Sequence, residues 1–127
     1  MFVKSMVWLA RLLFVAILLI AVITLLTNDL EFLIGKGPTA SDKVNHVIIF
    51  YALMVGAVIA LPTLRVWIIG LVLMIFGVGI ELAQSFVGRK FGVTDALANG
   101  VGVLLVLLPL YAAKVRRFLL RDAVPKK

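Results

Sequence analysis

The chain has 127 residues, 64% of them hydrophobic and 15% charged, with a mean hydropathy of +1.20. A soluble domain of this length could not cover so much apolar surface, which argues against a soluble helical bundle. The absence of cysteine excludes disulfides and thiolate chemistry. The net charge of +7 does not indicate nucleic-acid binding, because six of the thirteen basic residues lie in the last fourteen positions, where they would face anionic lipid beside an apolar helix.

Four apolar segments approach the roughly 20 residues that cross a bilayer. Pro62 ends the second segment, Thr94 is the predicted N-cap of the fourth, and Pro109 is expected to kink its far end. The first segment resembles a signal peptide, but no small-residue cleavage site follows it, and we interpret it as a retained anchor. We predict an all-α, single-domain integral membrane bundle over 1–127, with four transmembrane helices at about 7–26, 42–61, 66–87 and 95–113.

Basic residues near the ends of the spans predict the orientation. With the N-terminus in the cytoplasm, nine Lys and Arg residues lie on the inner side and four on the outer side. Both termini are therefore predicted to be cytoplasmic, and three aromatic residues, Trp8, Trp67 and Tyr111, would lie at the inner interface. Arg89 and Lys90 fall on the predicted outer side, although short loops normally keep positive charge in the cytoplasm. Their position therefore indicates a local role.

Glu81 interrupts the apolar part of the third span. The run Val66–Ile80 is apolar and leads directly into this carboxylate. At about 1.5 Å of rise per residue, Glu81 lies roughly 21 Å from Trp67 along the helix axis, inside a hydrocarbon core about 30 Å thick. A carboxylate at that depth costs several kcal/mol unless it is paired, hydrated or protonated, which makes Glu81 a candidate functional residue.

Most polar residues of the helices lie where the second span begins, the third ends and the fourth begins. Because consecutive spans are antiparallel, these three places meet at the outer face. Within each span the polar residues are three or four apart and so share a helix face; the pairs are Asp42 with His46, Glu81 with Gln84, and Asp95 with Asn99. We predict one cavity, reached from the outer face and lined by His46, Glu81, Arg89 and Asn99.

Simple structural explanations compete with a functional one. Carboxylates such as Asp42 and Asp95 suit the positive ends of helices as caps. Lys43 suits an interfacial position, and Arg89 could be either the countercharge of Glu81 or an anion ligand. Small residues of the third and fourth spans predict their close packing; they are Gly77, Gly79, Ala96, Ala98, Gly100 and Gly102.

Three motifs in order resemble the VanZ-like family. They are Asp42-Lys-x-x-His46 followed by Phe50-Tyr51, then Glu81-x-x-Gln84-x-Phe86-x-Gly88-Arg89, then Asp95-x-x-x-Asn99-x-x-Gly102. The resemblance covers about 41–105, and Val87-Gly88 replaces the family's frequent Pro-Gly.

VanZ-like proteins are small multi-span membrane proteins, and the founding member is associated with teicoplanin resistance. The resemblance implies an envelope role in the bacterial inner membrane, as a multi-pass protein, without supplying a reaction. It marks as ligand-binding residues Asp42, Lys43, His46, Glu81, Gln84, Arg89, Asp95 and Asn99.

Several functions fit these observations. The preferred one is binding of an anionic lipid, a lipid-linked glycan or a peptidoglycan-related group. One alternative is a membrane-embedded enzyme acting on a lipid-linked substrate, with His46 as general base or nucleophile and Glu81 as acid. Another is a structural or regulatory subunit of a membrane complex. A third is a transporter, which would need a homo-oligomer. The sequence contains no phosphatase-type signature and no His-Glu-x-x-His metal motif. One histidine with three carboxylates could hold a hard divalent ion, but nothing in the sequence specifies one, so no metal or cofactor is expected.

Overall fold

The structure, a computed structural model, describes residues 2–27, 40–86 and 91–123. Within these ranges every regular element is an α-helix, and there are no strands. Each helix is long and apolar enough to cross a membrane. The prediction of an all-α fold with four candidate membrane spans is therefore confirmed. The helices are α1 (Phe2–Thr27), α2 (Ala40–Ala60), α3 (Val66–Phe86) and α4 (Val93–Ala123).

The ends of α2 and α3 agree with the sequence prediction within two residues, whereas α1 begins five residues before its predicted start and α4 differs in its N-cap and its end. Gly92, not Thr94, is its N-cap, because the Gly92 carbonyl accepts hydrogen bonds from the backbone N–H groups of Asp95 and Ala96 at 3.0 Å. The helix also passes through Pro109 and continues ten residues beyond the predicted end at Ala113. The prediction followed the loss of hydrophobicity, whereas Lys, Arg and Leu continue to favour helix beyond it.

Consecutive helices run antiparallel, so α2 and α4 are parallel to each other. The helix α2 contributes the largest share of the apolar core; it lies chiefly against α4 and also contacts α1 and α3. In this core the rings of Phe50 on α2 and Phe76 on α3 lie 6.2 Å apart between their centres. Many large apolar side chains on the outer faces are exposed, as expected for helices that face lipid. The buried apolar core residues are Ala21, Leu25, Phe50, Leu53, Met54, Ala57, Ile69, Leu73, Ile80 and Val103.

A close helix approach occurs at Gly102, and it joins α4 to α2 rather than to α3. A Cβ atom at Gly102 would lie 2.5 Å from the Val47 carbonyl oxygen and 2.9 Å from the Tyr51 backbone nitrogen. The predicted assignment of Gly102 to the α3–α4 interface is therefore wrong, since the residue faces backbone of α2. Gly79, also assigned to that interface, would meet nothing within 4 Å.

Aromatic and basic residues gather at one end of the bundle. Arg11 donates from Nε to the Ala60 carbonyl at 3.2 Å, and its guanidinium lies 5.2 Å from the centre of the Trp8 ring. The same end has a cleft of about 460 Å³, lined by Leu64, Arg65, Val66, Trp67, Leu110, Tyr111 and Lys114. The aromatic residues expected at one interface thus share one end, and its cytoplasmic location stays a prediction.

Candidate functional site: a buried polar cluster

The opposite end of the bundle holds four buried polar side chains, which we call the polar cluster: His46, Glu81, Gln84 and Asn99. They come from α2, α3 and α4 and expose between 0% and 2% of their surface. They meet because the N-terminal turns of α2 and α4 pack beside the C-terminal turns of α3. Polar groups so buried cost free energy unless they find partners, so their contacts decide what the cluster does.

His46 and Asn99 form a direct link between α2 and α4. His46 Nδ1 lies 2.8 Å from Asn99 Oδ1. With that oxygen as acceptor, Nδ1 carries the ring proton and Nε2 keeps a lone pair. Among the described residues, neither His46 Nε2 nor Asn99 Nδ2 has a hydrogen-bond partner. Each buried polar atom without a partner costs about 1–3 kcal/mol of stability. Two such atoms in one network are unusual if the network serves packing alone.

Glu81 connects the end of α3 to the start of α4. Its Oε2 accepts a hydrogen bond from the Gly92 N–H at 3.2 Å, and its Oε1 lies 3.8 Å from His46 Nδ1. The carboxylate therefore faces the interior of the bundle and His46, as the sequence predicted, and it exposes none of its surface. Contact with a backbone N–H at a helix N-terminus favours a negatively charged or acceptor group there.

Gln84 connects α3 to α1. Its Nε2 donates to the Leu25 carbonyl oxygen at 2.6 Å. Leu25 lies in the last turn of α1, where helix carbonyls have no partner further along the helix. This contact gives Gln84 a structural role that the sequence did not predict, because its partner is a backbone atom. Its ligand-binding role stays a prediction.

Asp95 lies at the edge of the polar cluster, in the first turn of α4 as predicted, and is half-buried. A Cβ atom at Gly92 would lie 2.5 Å from Asp95 Oδ2, so only glycine leaves room for this carboxylate to fold back over the turn. One ligand-type atom from each of His46, Glu81 and Asp95 lies within 4.8 Å of the others. The arrangement thus brings an imidazole and two carboxylates to one point.

The remaining predicted site residues are less closely placed. Lys43 is exposed, one turn before His46 on α2. Asp42 lies in the first turn of α2, but its side chain is outside the described part of the structure. Arg89 and Lys90 lie entirely outside the described residues. The predicted cavity residues His46, Glu81 and Asn99 do meet, and each exposes at most 1% of its surface, so they form an enclosed cluster rather than an open cleft.

Two glycines support the site in ways that sequence reasoning missed. Gly92 supplies the N–H that contacts Glu81. Gly77 makes room for Asn99, because a Cβ atom there would lie 3.0 Å from Asn99 Nδ2 and 3.1 Å from the Phe50 ring. The Gly-x-x-Asp spacing of Gly92 and Asp95 was the available signal, since an acidic residue three positions after an N-cap is typical of helix starts.

Comparison of the chain with protein-family models, with curated proteins and with solved structures found no match in any of the three.

Proposed function

We propose that this chain is an envelope protein of the bacterial cytoplasmic membrane whose polar cluster binds the polar head of an anionic lipid, a lipid-linked glycan or a peptidoglycan-related ligand. The observation that carries the proposal is the burial of His46 and Asn99, each of which keeps one polar atom without a partner among the described residues. A network that served only to order the bundle would be expected to satisfy both atoms. Unused hydrogen-bonding capacity inside a helical bundle favours a ligand site.

The position of the site suits a ligand that enters from the membrane surface. The polar cluster lies near the ends of the spans, and Lys43 is exposed one turn from His46 on the same face of α2. An anionic head group would meet this ammonium first. Arg89 and Lys90 lie outside the described residues, and their role as further ligands of an anionic group rests on the sequence alone.

The resemblance to VanZ-like proteins remains part of this proposal. The three motifs that carry it lie on different helices, and their members His46, Glu81 and Asn99 contact one another or a shared neighbour. Their convergence supports interpreting the motifs as one site. An envelope role is the functional expectation that follows from the resemblance.

One observation favours a second candidate, a membrane-embedded enzyme acting on a lipid-linked substrate. His46 Nδ1 and Glu81 Oε1 are 3.8 Å apart, close enough for a base and an acid to act on one bound group. A structural or regulatory subunit is the remaining alternative. It is favoured by the hydrogen bond from Gln84 to α1, which orders the bundle without any ligand.

Native mass spectrometry of the protein released from its own membranes tests the binding proposal. We expect the wild-type chain to retain an anionic lipid or glycolipid, and Lys43→Ala, which removes an exposed side chain and should fold normally, to retain less. Lys4→Ala is the matched control, because it removes an exposed lysine from the opposite end, outside the basic C-terminal segment. Equal retention by wild type, Lys43→Ala and a folded His46→Ala would contradict the proposal.

A further inference from the structure

We propose that His46, Glu81 and Asp95 bind one divalent transition-metal ion, with Zn²⁺ as the best match. This inference rests on the proposed function, because the ion would hold the head group of the proposed ligand in the polar cluster. The sequence contains no metal-binding motif. The site is instead assembled by three helices, each of which contributes one of the three side chains.

The distances suit a shared ion. One ligand-type atom from each residue lies within 4.8 Å of the other two. In the tetrahedral geometry of Zn²⁺ sites, two ligand atoms are about 3.4 Å apart, because each bond is about 2.0–2.2 Å long. Side-chain rotations that move the carboxylate oxygens inward by up to about 1.4 Å would close the difference. Asp95 is half-buried and has room for that movement at the edge of the polar cluster.

His46 gives an independent indication of a ligand. Only 1% of the surface of His46 is exposed, and its Nε2 has no hydrogen-bond partner among the described residues. Contact between Nδ1 and Asn99 Oδ1 at 2.8 Å fixes the ring and selects the tautomer in which Nε2 is unprotonated. Metal-binding histidines are commonly held in this way by a hydrogen bond to the other ring nitrogen.

The charges also balance. A neutral imidazole and two carboxylates carry two negative charges, which a divalent cation neutralises. A neutral centre is far less costly to bury at this depth than separate ions. Imidazole and carboxylate are ligands that Zn²⁺ accepts together, whereas Mg²⁺ and Ca²⁺ prefer oxygen alone.

Glu81 is positioned for the task by the turn that precedes α4. The Gly92 N–H donates to Oε2 at 3.2 Å, and Asp95 folds back over the same glycine. This turn therefore sets the distance between the two carboxylates. Three protein ligands leave a fourth coordination position, where a phosphate or carboxylate oxygen of the head group would bind.

The test measures metal binding by the purified, tag-free full chain in detergent, after removal of metal with a chelator. We expect one Zn²⁺ per chain by elemental analysis, and Co²⁺ in its place should give the visible absorption of a site with nitrogen and oxygen ligands. Asn99→Ala should weaken binding about 10- to 100-fold, as loss of a hydrogen bond to a ligand does. His46→Ala and Asp95→Asn, which remove ligands, should weaken it more.

Asp122→Asn is the matched control, because it neutralises a carboxylate near the far end of α4 and should leave affinity unchanged. Near-isosteric Asp95→Asn preserves the helix start, so its loss of binding cannot be ascribed to unfolding if its melting temperature matches that of wild type. No binding by the folded wild-type chain, equal binding by all variants, or binding of Mg²⁺ that is insensitive to His46→Ala would overturn the proposal.

The two proposals fail in distinguishable ways. If the chelator-treated protein still retains its lipid in mass spectrometry, and no metal rebinds, the metal inference is wrong while the proposed function stands. If one Zn²⁺ binds tightly but no head group is retained with or without it, the ion is bound and the proposed lipid or glycan ligand is wrong.

Discussion

Substitution of Gly102 by alanine tests whether close contact between α2 and α4 assembles the polar cluster. The added Cβ would lie 2.5 Å from the Val47 carbonyl oxygen, whereas ordinary contact begins near 3.4 Å. Both close neighbours are backbone atoms, so no side-chain rotation can relieve the clash. The helices must separate by about 0.9 Å at this level.

That separation reaches the polar cluster, because Asn99 lies one turn before Gly102 and His46 directly precedes Val47. The Nδ1–Oδ1 distance of 2.8 Å would lengthen to about 3.7 Å, beyond hydrogen-bonding range. Overpacking of a close contact costs about 1–3 kcal/mol, and loss of the hydrogen bond adds about 1 kcal/mol. We therefore expect Gly102→Ala to lower the free energy of unfolding by about 2–4 kcal/mol.

Unfolding by denaturing detergent, followed by circular dichroism, measures this change. Gly79→Ala is the matched control: it adds the same methyl group to a membrane helix, where nothing lies within 4 Å. Its stability should equal or slightly exceed that of wild type, because alanine favours helix over glycine. If Gly102→Ala and Gly79→Ala unfold together, the close approach of α2 and α4 at Gly102 is refuted.

Three further predictions concern the bundle and its orientation. Gln84→Ala should cost about 0.5–1.5 kcal/mol of unfolding free energy by detaching α3 from the last turn of α1, and unchanged stability would contradict the role of the 2.6 Å hydrogen bond. Phe50→Ala removes a fully buried ring and should cost about 3–5 kcal/mol in the same assay, so a loss below 1 kcal/mol would contradict its place in the core. Reporter fusions after Lys127 and at Pro62 should be cytoplasmic and a fusion at Lys36 external; an external C-terminus would reverse the predicted orientation.

Much of the fold follows from the sequence because span length and turn residues are local signals. The Pro62 turn and the apolar lengths locate α2 and α3, and antiparallel connection then brings His46, Glu81 and Asn99 to one end. The end of α4 was missed because hydrophobicity stops before helix propensity does. Beyond Ala113 the chain is basic but still rich in residues that favour helix.

The pairing within the site could not be predicted, because it depends on how each helix is rotated about its axis. Helical spacing predicted that His46 and Asn99 line one cavity, but not that His46 Nδ1 pairs directly with Asn99 Oδ1. The partner of Gln84 is a backbone carbonyl, which no sequence pattern marks. The approach of Asp95 to His46 and Glu81 depends on the turn at Gly92, which spacing within single helices does not predict.

The central claim is that the polar cluster binds a ligand rather than only ordering the helices, and Glu81→Gln tests it most directly. Glutamine keeps the size of the side chain and an oxygen that can accept from Gly92, but it removes the charge. The measurement pairs unfolding in detergent with the lipid or glycan retained in native mass spectrometry, and with glycopeptide susceptibility of cells that carry the variant. We expect Glu81→Gln to give a folded, inserted protein with stability within about 1 kcal/mol of wild type and with ligand and phenotype lost. Wild-type ligand retention and phenotype at unchanged or increased stability would contradict it.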